Sequence, residues 1–85
     1  MNRHTALIDG KAGAYGIVFP DLPGCAAMGA TIAGAIVNAK AALRDWAEVT
    51  VEMGGVVPSP RSPEAVRKDA DVIAALAGRA RLIAV

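Results

Sequence analysis

The sequence predicts a small α+β domain in which a long amphipathic helix packs on one face of a mainly antiparallel sheet. Three observations lead to this prediction. Short apolar runs alternate with turn residues in the first third of the chain, a helical period follows, and residues 79–85 have a strand composition. The element order is therefore β-β-β-α-(α)-β, in which a second helical segment precedes the last strand.

The length of the chain sets the number of domains. Its 85 residues, 1–85, enclose only a single hydrophobic core, so we expect one domain with a thin stability margin. Apolar residues make up 54% of the sequence, and most of the excess is alanine, which packs closely but buries little area. Because such a domain gains stability by pairing an open edge strand, we predict a homodimer or a higher homo-oligomer.

Three short strands are predicted from three apolar runs, which are separated by turn residues. A hairpin turn that begins at Asp9 and Gly10 joins the first two strands. Pro20 and Pro23 lack the amide hydrogen that a sheet requires, so a turn follows the second strand. The third strand ends at Gly29. The predicted strands are residues 3–8, 14–19 and 25–28.

A long amphipathic helix is predicted after the third strand. Thr31 is a suitable N-cap, and the pair Gly54 and Gly55 provides the C-terminal stop. Apolar side chains recur at steps of three and four residues, which places them on one helical face. These residues are Ile32, Ala35, Ile36, Ala39, Leu43, Trp46, Thr50 and Met53.

A second helical segment is predicted after a proline-rich connection. Ser62 can cap this segment, which extends to Ala77. The sequence KDADV at residues 68–72 can divide it into two short turns. The final strand then closes the chain.

The charge and cysteine content exclude several classes of protein. Nine lysine and arginine residues against eight aspartate and glutamate residues provide no basic stripe for nucleic acid. A single cysteine cannot form an internal disulfide, and the N-terminus has no apolar core of an export signal, so we predict a cytoplasmic protein. Residues 22–39 are uncharged, but proline, glycines and an asparagine interrupt them, so no membrane span is expected.

The sequence contains one candidate pair for nucleophilic catalysis. Cys25 with His4 as its base would require the first and third strands to be neighbours. A buried, unreactive cysteine and a histidine with its tip in solvent are the preferred interpretations. One cysteine and one histidine also fall short of the three or four ligands of a zinc site.

Carboxylates provide the remaining candidates for catalysis. Metal-dependent cleavage of phosphodiesters needs several acids from different elements, whereas only Asp9 and Asp21 lie at suitable positions and the last strand has none. We therefore predict a protein that is not an enzyme, with no catalytic residue, no metal ligand and no cofactor. A binding module is the remaining interpretation.

Residues 15–48, YGIVFPDLPGCAAMGATIAGAIVNAKAALRDWAE, resemble the HicB-like antitoxin family. The string Pro-Asp-Leu-Pro-Gly-Cys is the most specific part of this resemblance, and VPSP at 57–60 matches the exit from the long helix. The other matching positions are Tyr15, Phe19, Gly29, Thr31, Asn38, Ala39 and Trp46.

The resemblance implies a degenerate RNase H-like fold that lacks the nuclease acids. It also implies an antitoxin that binds and neutralises a HicA-type toxin, a small RNA-cleaving protein. We predict partner contacts at Tyr15, Phe19, Asp21, Leu22 and Pro23. A fold-specific turn and helix cap are predicted at Pro20, Gly24, Cys25, Gly29 and Thr31.

The chain departs from the family pattern in three respects. Ala33 and Gly34 stand where relatives usually have an acidic pair, and Ala30 stands where they often have an acid or Asn, which lowers charge complementarity to a basic toxin. The sequence ends at the predicted last strand, where many relatives continue into a DNA-binding segment, so no autonomous DNA binding is expected. The alternative function is that of a stand-alone, homo-oligomeric interaction module with no toxin partner.

Overall fold

The computed structural model describes residues 3–85, which form a four-stranded sheet and three helices. The strands are β1 (Thr5–Lys11), β2 (Ala14–Val18), β3 (Ala26–Gly29) and β4 (Arg81–Ala84), and the helices are α1 (Ile32–Glu52), α2 (Pro63–Val66) and α3 (Ala70–Ala77). The predicted α+β class and element order are confirmed. The second helical segment is divided into two helices, as the sequence allows. Arg67 is the C-cap of α2, and Asp69 is the N-cap of α3.

The sheet is antiparallel throughout and has the strand order β3-β2-β1-β4. Leu7 in the central strand lies opposite Val18 on one side and Leu82 on the other. The first and third strands are therefore not neighbours, contrary to what a Cys25–His4 pair requires. β3 and β4 form the two outer edges.

The helix α1 packs on one face of the sheet. Ala6 and Ile17 contact Ala35 and Ala39 of the helix, and all four side chains are fully buried. The small alanine side chains let the helix approach the sheet closely. At Gly29 the approach is so close that a Cβ atom would collide with the backbone of Ala35.

The opposite face of the sheet is only partly covered. α2 and α3 bury Val66 and Val72 against Leu7 and Ala80, which makes a second, smaller hydrophobic cluster. The sequence predicts one helix on one face, and the structure adds this second layer. The helices α2 and α3 cover β1 and β4 on this face, whereas Val18 of β2 stays half exposed.

The turn and cap residues explain where the elements begin and end. β1 continues to Lys11, so the hairpin turn begins after this residue and not at Asp9 as predicted; Gly10 and Gly13 have the positive φ angles of 114° and 93° that glycine allows. Thr31 caps α1 as predicted, since its Oγ1 accepts a hydrogen bond of 2.9 Å from the Gly34 amide. The helix ends at Glu52, and Gly54, which follows the C-cap Met53, has the left-handed φ of 82° that turns the chain away.

Among residues 3–85, none of the helices is long and apolar enough to cross a bilayer.

Candidate partner-binding site

The segment from Phe19 to Cys25 folds into two successive turns. The amide of Leu22 donates to the carbonyl of Phe19 at 3.1 Å, and the amide of Cys25 donates to the carbonyl of Leu22 at 3.0 Å. Gly24, with a φ of 83°, takes the left-handed conformation that leads into β3. This geometry directs the side chains of Phe19, Leu22 and Cys25 into the core, where each is at most 4% exposed.

Asp21 of this turn is held by an arginine 40 residues away in the sequence. Its side chain is only 7% exposed, and its Oδ1 accepts a hydrogen bond of 2.6 Å from Nε of Arg61. The Arg61 backbone amide also donates to Asp21 Oδ2 at 3.3 Å. The carboxylate is therefore occupied within the protein and is not free for a partner.

Arg61 also binds Asp69, the residue that begins α3. Its two terminal nitrogens donate to the two carboxylate oxygens at 2.6 and 3.2 Å, a bidentate arrangement. These hydrogen bonds lower the pKa of Asp69 and raise that of Arg61. We name Asp21, Arg61 and Asp69 the arginine bridge, which joins the turn after β2 to the α2–α3 joint. The sequence alone did not reveal it, because no local pattern links these positions.

Two side chains of α1 bind the backbone of the strands and turn beneath it. Trp46 Nε1 donates to the Pro23 carbonyl at 3.0 Å, and Asn38 Nδ2 donates to the Met28 carbonyl at 2.7 Å. The Asn and Trp that match the family pattern therefore attach the helix to the turn and to β3.

The structure does not bring the five predicted partner residues onto one surface. Phe19 and Leu22 lie inside the core, and Asp21 belongs to the arginine bridge. Pro23 is exposed, but half-buried Tyr15 lies at the opposite end of β2. Only Pro23 and Tyr15 remain available as surface contacts, and they are not adjacent.

A different surface is open to a partner. Because side chains alternate along a strand, Val18 and Met28 point away from α1, and they are 49% and 71% exposed. We name this uncovered part of β2 and β3 the open sheet face. A groove of about 290 Å³ lies beside this face. Its lining includes Pro20, Val72 and the exposed carboxylate of Asp71.

The two groups considered for nucleophilic catalysis are separated in the structure. Cys25 belongs to the core, and burial raises the pKa of its thiol. His4 is buried as well, in contrast to the solvent-exposed tip that the sequence predicts, and its Nε2 lies 3.2 Å from the carbonyl oxygen of Pro58. Within residues 3–85, no three acidic, histidine or cysteine side chains cluster as metal ligands.

This fold is that of a small α+β domain, in which one face of the sheet is only partly covered. The chain belongs to the HicB-like antitoxins, since residues 4–78 match the sequence profile of the "HicB_like antitoxin of bacterial toxin-antitoxin system". It is therefore an antitoxin and not an enzyme. No curated protein sequence matches the chain.

Solved structures of similar fold agree with this assignment. A chain of the "HicA3 and HicB3 toxin-antitoxin complex" is 25% identical, with a TM-score of 0.72 over 94% of this chain and 93% of that one. The N-terminal domain of the Burkholderia pseudomallei antitoxin HicB is 27% identical, with a TM-score of 0.69 over 98% and 96%. The longer Burkholderia pseudomallei HicB is 24% identical and has the same fold, with a TM-score of 0.71 over all of this chain and 61% of that one.

Proposed function

We propose that this chain neutralises a HicA-type toxin by binding it directly. The family match over residues 4–78 carries this proposal, and the structural similarity to a chain of a HicA–HicB complex supports the choice of partner. A toxin that cleaves RNA must bind phosphates, so its active surface is basic. An antitoxin that covers this surface needs apolar contacts and accessible carboxylates.

The open sheet face provides both kinds of group. Val18 and Met28 supply exposed apolar area, while Asp71 at the groove and Asp9 on the same face of β1 are exposed carboxylates. We therefore assign the toxin-binding surface to this face. Pro23 is proposed as a contact at its margin and Tyr15 as a separate contact on the α1 side of β2, while the other three predicted partner residues support the turn from inside.

Co-expression with a small basic protein encoded beside this chain tests the proposal. The wild-type chain should restore growth and co-purify with the toxin, whereas Val18→Glu and Met28→Glu should fail in both assays. Val37→Glu is the matched control, because Val37 is 65% exposed on the outer side of α1. Lack of a wild-type complex would refute the partner, and full binding by both variants would refute only the surface.

We also propose that the chain forms a homodimer through the last turns of α1. Val49 and Met53 continue the apolar helix face beyond Trp46, yet they are 52% and 82% exposed. This apolar overhang favours the alternative function as a homo-oligomeric interaction module. Light scattering should give a dimer mass that Met53→Glu halves, and a monomeric wild type at micromolar concentration would contradict this.

We further propose that the fold is a degenerate relative of RNase H and that the protein acts in the cytoplasm. The three-stranded meander, the helix that follows it and the placement of β4 beside β1 support the first proposal. The free thiol of Cys25 supports the second. Cell fractionation with a tagged chain is the direct test of location.

A further inference from the structure

The outer edge of β4 has backbone groups without a partner strand. His4 and Val85 exchange two hydrogen bonds of 2.9 Å and therefore form a hydrogen-bonded pair of the antiparallel ladder. Hydrogen-bonded and non-hydrogen-bonded pairs alternate along such a ladder, so this pair fixes which residues of β4 bond to β1. By this alternation, the N–H and C=O groups of Leu82 and Ala84 point away from β1. Within residues 3–85, no backbone or side-chain group forms a hydrogen bond with them, so this edge can accept an additional strand.

An apolar groove lies beside this edge, on the same side of the sheet as α1. Leu43 and Ala47 of the helix form one wall, Val85 forms the floor, and Val57 of the connection after α1 forms the other wall. The volume is about 710 Å³, and the contact of His4 with the Pro58 carbonyl holds the connection in place. Alternate side chains of a strand added to β4 would enter this groove.

The rim of the groove is positively charged although the whole chain is nearly neutral. Arg3, Lys40 and Arg44 line it, and no aspartate or glutamate does. Within the part of the chain that the structure describes, none of these three cations has a carboxylate within 4.0 Å. Lys40 and Arg44 lie one helical turn apart, about 6 Å, which is close to the roughly 7 Å between alternate residues of a strand.

From the open edge, the apolar groove and its cationic rim, we propose that β4 binds an extended acidic segment of a second protein partner. The segment adds an outer strand through the backbone of Leu82 and Ala84. Its apolar side chains enter the groove, and its carboxylates pair with Lys40 and Arg44. A second copy of this chain does not fit, because symmetric pairing at β4 would bring the two cationic rims together.

This site is independent of the proposed toxin contact. The open sheet face lies at β2 and β3 on the side away from α1, whereas the groove lies at β4 on the side of α1. A bound toxin therefore leaves the β4 edge accessible. The failure of either proposal leaves the other one standing.

Fluorescence anisotropy with a labelled seven-residue peptide tests the proposal. The probe has the sequence Val-Thr-Val-Thr-Glu-Thr-Glu with blocked ends, which puts the two carboxylates at alternate positions beside two apolar side chains, and the matched peptide has Lys in place of both Glu. The acidic peptide should bind at least about tenfold more tightly than the basic one, and Lys40→Glu with Arg44→Glu should remove this preference. Lys68→Glu, which reverses an exposed cation on α2's side of the molecule, should leave it unchanged.

The backbone part of the proposal has its own readout. Binding should protect the amides of Leu82 and Ala84 from hydrogen exchange, and methylation of alternate peptide nitrogens should abolish binding. Equal affinity of the methylated peptide would show charge attraction without strand addition and would overturn the proposal. Equal binding of the basic peptide, protection at β3 instead of β4, or tighter binding of a short oligonucleotide than of the peptide would overturn it as well.

Discussion

Replacing Leu22 with alanine separates a structural role of the turn from a role in binding. Leu22 is fully buried, so the substitution removes three carbons that have no contact with solvent. Loss of three buried methylene equivalents costs about 2.4 kcal/mol, and the cavity raises this to roughly 3 kcal/mol. A domain of this size has a free energy of unfolding of about 4–13 kcal/mol, so the loss is a large part of the total.

Urea unfolding followed by the fluorescence of Trp46 measures this loss directly. Trp46 is the single tryptophan and donates its hydrogen bond to Pro23, so its emission reports on the turn itself. With an m-value of about 1 kcal/mol/M, the midpoint should fall by roughly 3 M. A single transition would also agree with the proposal that residues 1–85 form one domain.

Pro23→Ala is the matched control for Leu22→Ala. Its side chain is exposed, and its carbonyl remains able to accept the hydrogen bond from Trp46, so stability should change by less than about 0.5 kcal/mol. If Leu22→Ala keeps wild-type stability and instead abolishes toxin binding, Leu22 is a surface contact. The assignment of the turn to the core would then be wrong.

Three further predictions concern the attachment of the helices. Trp46→Phe should lose about 0.5–1.5 kcal/mol in urea unfolding followed by circular dichroism, because one hydrogen bond to the turn disappears; a wild-type midpoint would contradict this. Gly29→Ala should lower the melting temperature measured by circular dichroism, because the new Cβ meets the backbone of Ala35; an unchanged melting temperature would show that α1 can move. The pKa of Asp69 is lowered by Arg61, so its contribution to stability is present above its unfolded pKa of about 4 and is lost as the pH falls through the lower folded value. Urea midpoints from pH 6 to pH 2 should therefore fall less steeply in Asp69→Asn than in the wild type.

Local patterns in the sequence were sufficient to predict the order of the elements. Thr31 and Ser62 cap helices as expected, because capping depends on a side chain and an amide three residues later. Strand bounds moved by one to three residues, because Gly10 and Gly13 place the hairpin turn and no propensity scale fixes that choice. The order of strands in the sheet follows from packing and not from local signals.

The contacts that define the site could not be predicted, because they join distant parts of the chain. Arg61 lies in a proline-rich connection whose sequence indicates only a linker, yet its guanidinium group binds Asp21 and Asp69. The sequence predicts a strand histidine with its tip in solvent at His4, whereas the structure buries this side chain against the carbonyl of Pro58. Long-range contacts of this kind carry no periodic signal in a single sequence.

The turn after β2 identifies the family more strongly than it identifies the partner. Three of its side chains fill the core and a fourth, Asp21, enters the arginine bridge, so folding alone explains why these residue types occur together. The open sheet face uses Val18 and Met28, which lie outside the Pro-Asp-Leu-Pro-Gly-Cys string. Under the proposed assignment of the toxin contact, the turn that holds α1 on the sheet can stay the same while the exposed residues change to fit different toxins. Partner specificity in this fold should follow the exposed side chains of β2 and β3.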